Sequence, residues 1–167
     1  MADTKCNTDG VELKYYDVFY SVKEIAQQEE EFRSLSKTRR KKGKKFGRLV
    51  SLNEFYSTPH YRTREAIVKE YHSIFLSLLG NIEVPKLNKY SLEIYYKGRS
   101  DVDNISAMGK MFADVLKDTV AIDDRPKYYK GMSIFYDDTM ESNTLLFRIV
   151  SHGNLNLKPK TIWQLQE

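Results

Sequence analysis

Cysteine is almost absent from this 167-residue chain. Cys6 is the only one, which excludes an internal disulfide and a cysteine-based metal knot. Histidine is nearly as scarce, with His60, His72 and His152 far apart in sequence, so zinc chemistry has little to work with. A metal would have to be held by oxygen ligands, which selects magnesium or manganese. No apolar run approaches the roughly 20 residues of a membrane span. The opening MADTKCNTDG lacks the basic-then-apolar layout of a signal peptide. A cytoplasmic protein with no membrane partner is expected, and there is no internal repeat.

Hydrophobic residues make up 41% of the chain and aromatic residues 13%, enough for one domain with a real core and some additions. The net charge is only +4, but it is unevenly spread. In KTRRKKGKKFGR, residues 37–48, eight of twelve positions are Lys or Arg and none is acidic. The acidic stretch QQEEEF lies a few residues earlier. Such a basic run suits phosphate backbones, and equally a solvated loop or a localisation signal.

The patterning predicts the elements in order. Residues 11–20 (VELKYYDVFY) read as a strand and 22–36 as a short acidic helix, while Gly43 and Gly47 discourage regular structure in the basic run. SLNEFYSTPHYRT reads as a loop. Thr63 then caps a helix whose Ile67, Val68, Tyr71, Ile74, Phe75, Leu78 and Leu79 form one buried face before Gly80. Residues 89–97 alternate, with Tyr90, Leu92, Ile94 and Tyr96 on one side, as in a half-buried strand. A second helix runs from Val102 or Asp103 to Lys117, with Ile105, Met108, Phe112, Val115 and Leu116 as its apolar stripe. After a short TVAI segment and a turn at Arg125-Pro126, strands follow at about 128–137 and 143–150. The predicted fold is α/β, a small mixed β-sheet covered by helices.

The chemistry is concentrated in GRSDVDN, residues 98–104. In an extended segment Asp101 and Asp103 project to the same side. Two carboxylates at a strand-to-helix junction can share a divalent cation. Asp123-Asp124 is the candidate for the remaining acid, because the apolar segment before it can lie beside the first strand. Lys110 and Asp114 follow Asp103 by seven and eleven positions, so all three fall nearly on one helical line that can aim a cation at a scissile phosphate. Plainer uses exist for the same residues. Asp103 or Asn104 can cap the helix, and Lys110 with Asp114 can be an exposed i,i+4 pair.

D-V-D-N, then K-x-x-x-D-x-L (Lys110, Asp114, Leu116), then D-D (Asp123, Asp124) together resemble the RusA family of Holliday junction resolvases. SLNEFYS and Tyr61-Arg62-Thr63 are similar to that family's N-terminal Asn-and-aromatic segment. The likeness covers about residues 49–150 and divides the chain into an extension, 1–48, a RusA-like nuclease domain, 49–150, and a tail, 151–167, carrying Trp163. It implies a RusA-like fold and a homodimeric endodeoxyribonuclease, of a kind often encoded by phages. Such an enzyme would be magnesium-dependent, with manganese able to substitute, and would resolve four-way DNA junctions by paired symmetric nicks.

By position, Asp101, Asp103 and Asp124 match the metal-holding catalytic acids. Asp123 stands beside the last, and Lys110 serves as the catalytic cation. The family lysine belongs four residues after the second aspartate, where this chain has Ala107, so Lys110 stands three residues late. Phosphate contacts are expected from Lys97, Arg99, Arg62 and Arg64. From the basic run, Arg39, Arg40, Lys41, Lys42, Lys44 and Lys45 join them. Phe55, Tyr56 or Tyr61 can meet unstacked bases. The alternative is a non-catalytic junction-binding or scaffolding protein on the same fold, supported by the displaced lysine and opposed by the retained acids.

Overall fold

The computed structural model describes residues 4–6, 12–27, 49–52, 56 and 61–152. Five strands among them form one mixed sheet: β1 (Thr4–Cys6), β2 (Glu12–Ser21), β3 (Tyr90–Lys97), β4 (Tyr129–Tyr136) and β5 (Thr144–His152), in the order β1-β2-β5-β3-β4. Two long helices, α1 (Tyr61–Leu79) and α2 (Ser106–Thr119), accompany it, and residues 22–27 are also helical. The α/β reading with a small mixed sheet is borne out. The segment expected as helix over 22–36 passes beyond the described residues after 27.

The core forms because the periods agree. On β3, Tyr90, Leu92, Ile94 and Tyr96 are buried and the residues between them are half-buried. Cross-strand pairing sets Leu92 against Ile149, Ile94 against Phe147 and Tyr96 against Leu145. β5 in turn sets Phe147 against Val18 and Leu145 against Tyr20 of β2. The helices cover this face. Phe75 of α1 meets Phe112 of α2 edge-on at 5.4 Å and Phe147 at 5.3 Å, while Phe112 stacks on Phe147 at 4.3 Å. Such aromatic pairs add about 1 kcal/mol each to the area they bury.

Three sequence expectations need correction. The boundary at residue 48 does not hold, because β2 pairs with β5 from Leu13 to Ser21 and supplies Val18 and Tyr20 to the core. Residues 12–27 are therefore part of the domain. At the other end β5 runs on to His152, so the domain passes the expected limit at 150. Helix α1 begins at Tyr61, which puts Thr63 inside the first turn rather than at the cap, and Arg62 on the helix.

Among the described residues, no helix lies on the opposite sheet face. Arg148 at its centre holds Asp17 through both nitrogens at 2.8 Å and lies over the Tyr15 and Tyr95 rings. Phe19 and Phe135 are exposed there.

The β3–α2–β4 unit is the part that positions the chemistry. β3 and β4 are parallel, so the chain must travel back along the sheet through α2. Eight of the fourteen α2 residues are buried. A Cβ at Gly109 would lie 2.1 Å from Met132 Sδ and 2.5 Å from Ile94 Cδ1, so glycine is what lets the helix sit this close. Another glycine, Gly131 (φ +132°), takes up the irregularity where Tyr90 pairs with Tyr129 but Leu92 with Met132. Gly109→Val should lower stability by about 1–3 kcal/mol through overpacking. Chemical denaturation would measure this, and an unchanged midpoint would show that α2 can ride away from the sheet freely.

Candidate functional site

The first acids stand where β3 ends. Asn143 N donates to Lys97 O at 2.7 Å, and the Tyr96 hydroxyl donates to Ser100 O at 2.8 Å, which ties the departing loop to the sheet. Val102 has φ −55° and ψ −45°, a helical conformation, so the extended geometry expected from Asp101 to Asp103 is not what the chain adopts. A single 3-10 turn, Asp103–Ile105, follows and leads straight into α2.

The plainer role of helix cap does not fit Asp103. Its Oδ1 accepts only the next amide, Asn104 N, at 3.0 Å, whereas a helix cap serves amides two or three residues on. The flanking positions Val102 and Ile105 make no side-chain cap either. Asp101 and Asp103 are both exposed, and among the described residues neither carboxylate has an ion-pair partner. Both act on one buried phenol. Burial, then Asp101, Tyr136 and Asp103, push the Tyr96 hydroxyl above its ordinary pKa. The two acids therefore gather at the C-terminal end of β3.

The second acids stand at the other end. After α2 the chain bridges to the residues before β3: Leu87 N donates to Val120 O at 2.8 Å and Ile122 N to Leu87 O at 3.2 Å. The apolar segment thus does lie beside the first strand's line, as expected, but at its beginning. Asp123 and Asp124 come next and differ in their use. Asp123 Oδ1 accepts the amides of Asp124 (2.8 Å) and Arg125 (3.3 Å), and its Oδ2 accepts Arg125 Nε. Burial opposes ionisation there, but the Arg125 guanidinium and the Asp124 amide prevail and hold Asp123 below the usual carboxylate range. Asp124 meets Lys117 Nζ at 3.3 Å and makes no such turn. Asp123 is engaged within its own turn by two amides and the Arg125 guanidinium, whereas Asp124 faces Lys117.

Around them sit Asp114, Lys110 and Tyr90. Burial raises the Asp114 carboxyl, Lys110 pulls it back, and Asp124 adds to the rise. Tyr90 feels burial first, then Tyr129 and the three acids Asp124, Asp114 and Asp123. Its buried hydroxyl has no hydrogen-bond partner. The line of Asp103, Lys110 and Asp114 emerges on the side of α2 turned from the core, since Asp103 and Lys110 are exposed and Asp114 half-buried.

The two groups lie at opposite ends of β3. At about 3.3 Å per residue, the eight residues of β3 span roughly 25 Å. The fourteen of α2 span about 21 Å at 1.5 Å each. Among the described residues, no three His, Cys, Asp or Glu side chains come together as a metal would require. A parallel crossover returns to the start of its strand, so Asp101 and Asp103 stand at the end of β3 and Asp124 near its beginning.

Lys110 lies between the groups on exposed helix surface, whereas Ala107, the position the resemblance gives the lysine, is 4% exposed. Three residues of helix turn the side chain by about 300°, and here that is the difference between core and solvent. Among the expected phosphate contacts, Arg99 and Arg62 are exposed. Lys97 donates to Asp138 O at 2.7 Å, and Arg64 lies over the Tyr56 ring at 5.5 Å. Arg39, Arg40, Lys41, Lys42, Lys44 and Lys45 fall outside the described residues.

Sequence reasoning missed Lys117, a surface lysine by pattern, and the hydroxyl ends of Tyr90 and Tyr96, which alternation marks only as core. No family model matches the chain in comparison with known protein families, and no curated protein sequence matches it.

Because Asp123 is held below the ordinary carboxylate range in the folded chain, the unfolded chain takes up that proton first on acidification. The Asp123 contribution to stability is present above about pH 4 and is lost as pH falls below it. Asp123→Asn keeps an oxygen for the amides but loses the guanidinium pair. Its melting temperature should therefore fall less steeply than the parent's between pH 5 and pH 3. Parallel slopes would show that the Arg125 pair contributes nothing to folding.

Proposed function

We propose that this chain is a metal-dependent endodeoxyribonuclease that resolves four-way DNA junctions as a homodimer. Each site would be assembled from Asp101 and Asp103 of one copy with Asp124 of the partner subunit. The observation that carries this reading is the separation of the two acid groups to opposite ends of β3, with the first pair exposed and, among the described residues, not paired with a basic side chain. Exposed carboxylates with no counter-charge suit a hard divalent ion, and all the donors are oxygen. Magnesium or manganese bound there supplies Lewis-acid polarisation of a phosphoryl oxygen and of the attacking water.

The chain's own groups do the rest. Tyr96 fixes the acid-bearing loop through Ser100, and Arg99 lies in that loop to meet a neighbouring phosphate. Lys117 holds the Asp124 carboxylate in place until a stronger cation displaces it. Lys110, on the stripe between the groups, offsets charge on the phosphate. An isologous pair in which the two β3 strands run antiparallel would set each end of one β3 against the opposite end of its partner, giving two equivalent sites for a substrate that is itself two-fold symmetric.

Purified protein with Mg²⁺ or Mn²⁺ should place paired symmetric nicks in a synthetic four-way junction, and none with EDTA. Asp103→Asn and Asp124→Asn should each lose more than about 100-fold in rate while still binding. Mixed in equal amounts and allowed to exchange subunits, they should recover single nicks at about a quarter of the sites, because a mixed dimer holds one complete set. No recovery beside an active wild type would rule out the shared site. Tight junction binding without nicks in any metal would favour the non-catalytic reading, to which the buried alanine at 107 already lends support.

A further inference from the structure

We propose that Tyr136 is a stacking platform for an unpaired nucleobase next to the phosphate that Asp101 and Asp103 address. This rests on the nuclease reading above and deepens it, because it names a distorted or unpaired strand, rather than intact duplex, as what enters the site. Tyr136 is the last residue of β4 and pairs with Tyr96 in the parallel register. Its ring meets the Tyr96 ring edge-on, with centroids 5.5 Å apart and planes at 85°. Tyr96 is the phenol on which Asp101, Tyr136 and Asp103 all act, and its hydroxyl is tied to Ser100 O. Tyr136 is thus braced by the same buried side chain that holds the acid loop.

Its exposure is the second observation. Tyr136 is 53% exposed, whereas Tyr129, at the start of the same strand and on the same sheet face, is half-buried against Tyr90. Val102, between the two acids, is 44% exposed. Phosphate chemistry alone needs polar groups, so apolar surface left open beside carboxylates calls for an apolar occupant. The faces of unstacked bases supply one. A base in a continuous duplex has both faces covered by its neighbours, whereas one at a crossover can turn a face to an aromatic side chain. The end of a strand is a rigid mount, and the edge-on contact from Tyr96 leaves a face of the Tyr136 ring open. None of the aromatics singled out from the sequence, Phe55, Tyr56 or Tyr61, is this residue.

The test is binding in EDTA, where no cleavage intervenes, to a four-way junction carrying 2-aminopurine at the crossover. Tyr136→Ala should weaken binding by about 5- to 100-fold and abolish the change in 2-aminopurine emission seen with the wild type. Tyr136→Phe should keep both. In Tyr136→Trp, junction binding should quench tryptophan emission beyond any change in the wild type, whose only tryptophan is Trp163. This variant reads the contact even if Tyr136→Ala folds poorly. Unchanged affinity in Tyr136→Ala, or no added quenching in Tyr136→Trp, would overturn the stacking role and leave the nuclease reading standing. So would a loss of the dimer in Tyr136→Ala by light scattering, which would make Tyr136 a contact between copies. A wild-type protein that binds no junction would overturn both.

Discussion

The approach of α2 to the sheet at Gly109 is the contact from which the rest of the arrangement follows. A helix seated on β3 and β4, with Met132 and Ile94 against the glycine, makes the two strands a parallel pair joined by a crossover. In such a unit the loop into the helix and the loop out of it lie at opposite ends of the sheet. The first carries Asp101 and Asp103, and the second carries Asp123 and Asp124. Their separation is thus as firmly set as the core itself. The Phe75, Phe112 and Phe147 cluster holds α1 to the same unit, so displacing α2 would cost the aromatic packing as well.

Most elements were legible because burial here follows simple periods. Tyr90, Leu92, Ile94 and Tyr96 alternate and are buried, and Ile105, Met108, Phe112, Val115 and Leu116 repeat helically and are buried. Strand β2 was legible as a strand, yet its membership in the sheet was not. An acidic and then a basic stretch separate it from the main run of elements, and its partner β5 is over a hundred residues away. No local pattern reports a pairing of that range. The start of α1 at Tyr61 was hidden by the polar and aromatic residues around it, since a solvent-facing first turn has no apolar signature.

The candidate site was legible in composition and illegible in geometry. The acids could be named from their spacing, but spacing along the chain says nothing about which end of a strand a later residue returns to. The strand rule also failed locally, at Val102, because the 3-10 turn begins before the segment can stay extended. Asp123 and Asp124 look alike in sequence and differ in use. One carboxylate accepts two amides and a guanidinium within its own turn, while the other faces a single lysine.

Electrostatics then separates the two ends in charge balance. Lys110 moderates Asp114 within α2, Lys117 and Arg125 moderate the acids that follow it, and no such cation stands against Asp101 and Asp103 among the described residues. In water, two exposed charges about 4 Å apart repel by only about 1 kcal/mol, so the uncompensated pair is tolerable for folding. For an approaching phosphate it is a different matter, because each phosphate adds a like charge in a space from which water is being excluded. A polyanion can settle there only with a cation between. An aromatic ring such as Tyr136 becomes useful beside such a pair for the same reason: stacking on an uncharged base face gains contact without adding to the repulsion. On the nuclease reading proposed above, the uncompensated acids, the exposed tyrosine and the remote Asp124 would all answer one constraint, that a negatively charged strand has to be held close to negatively charged side chains.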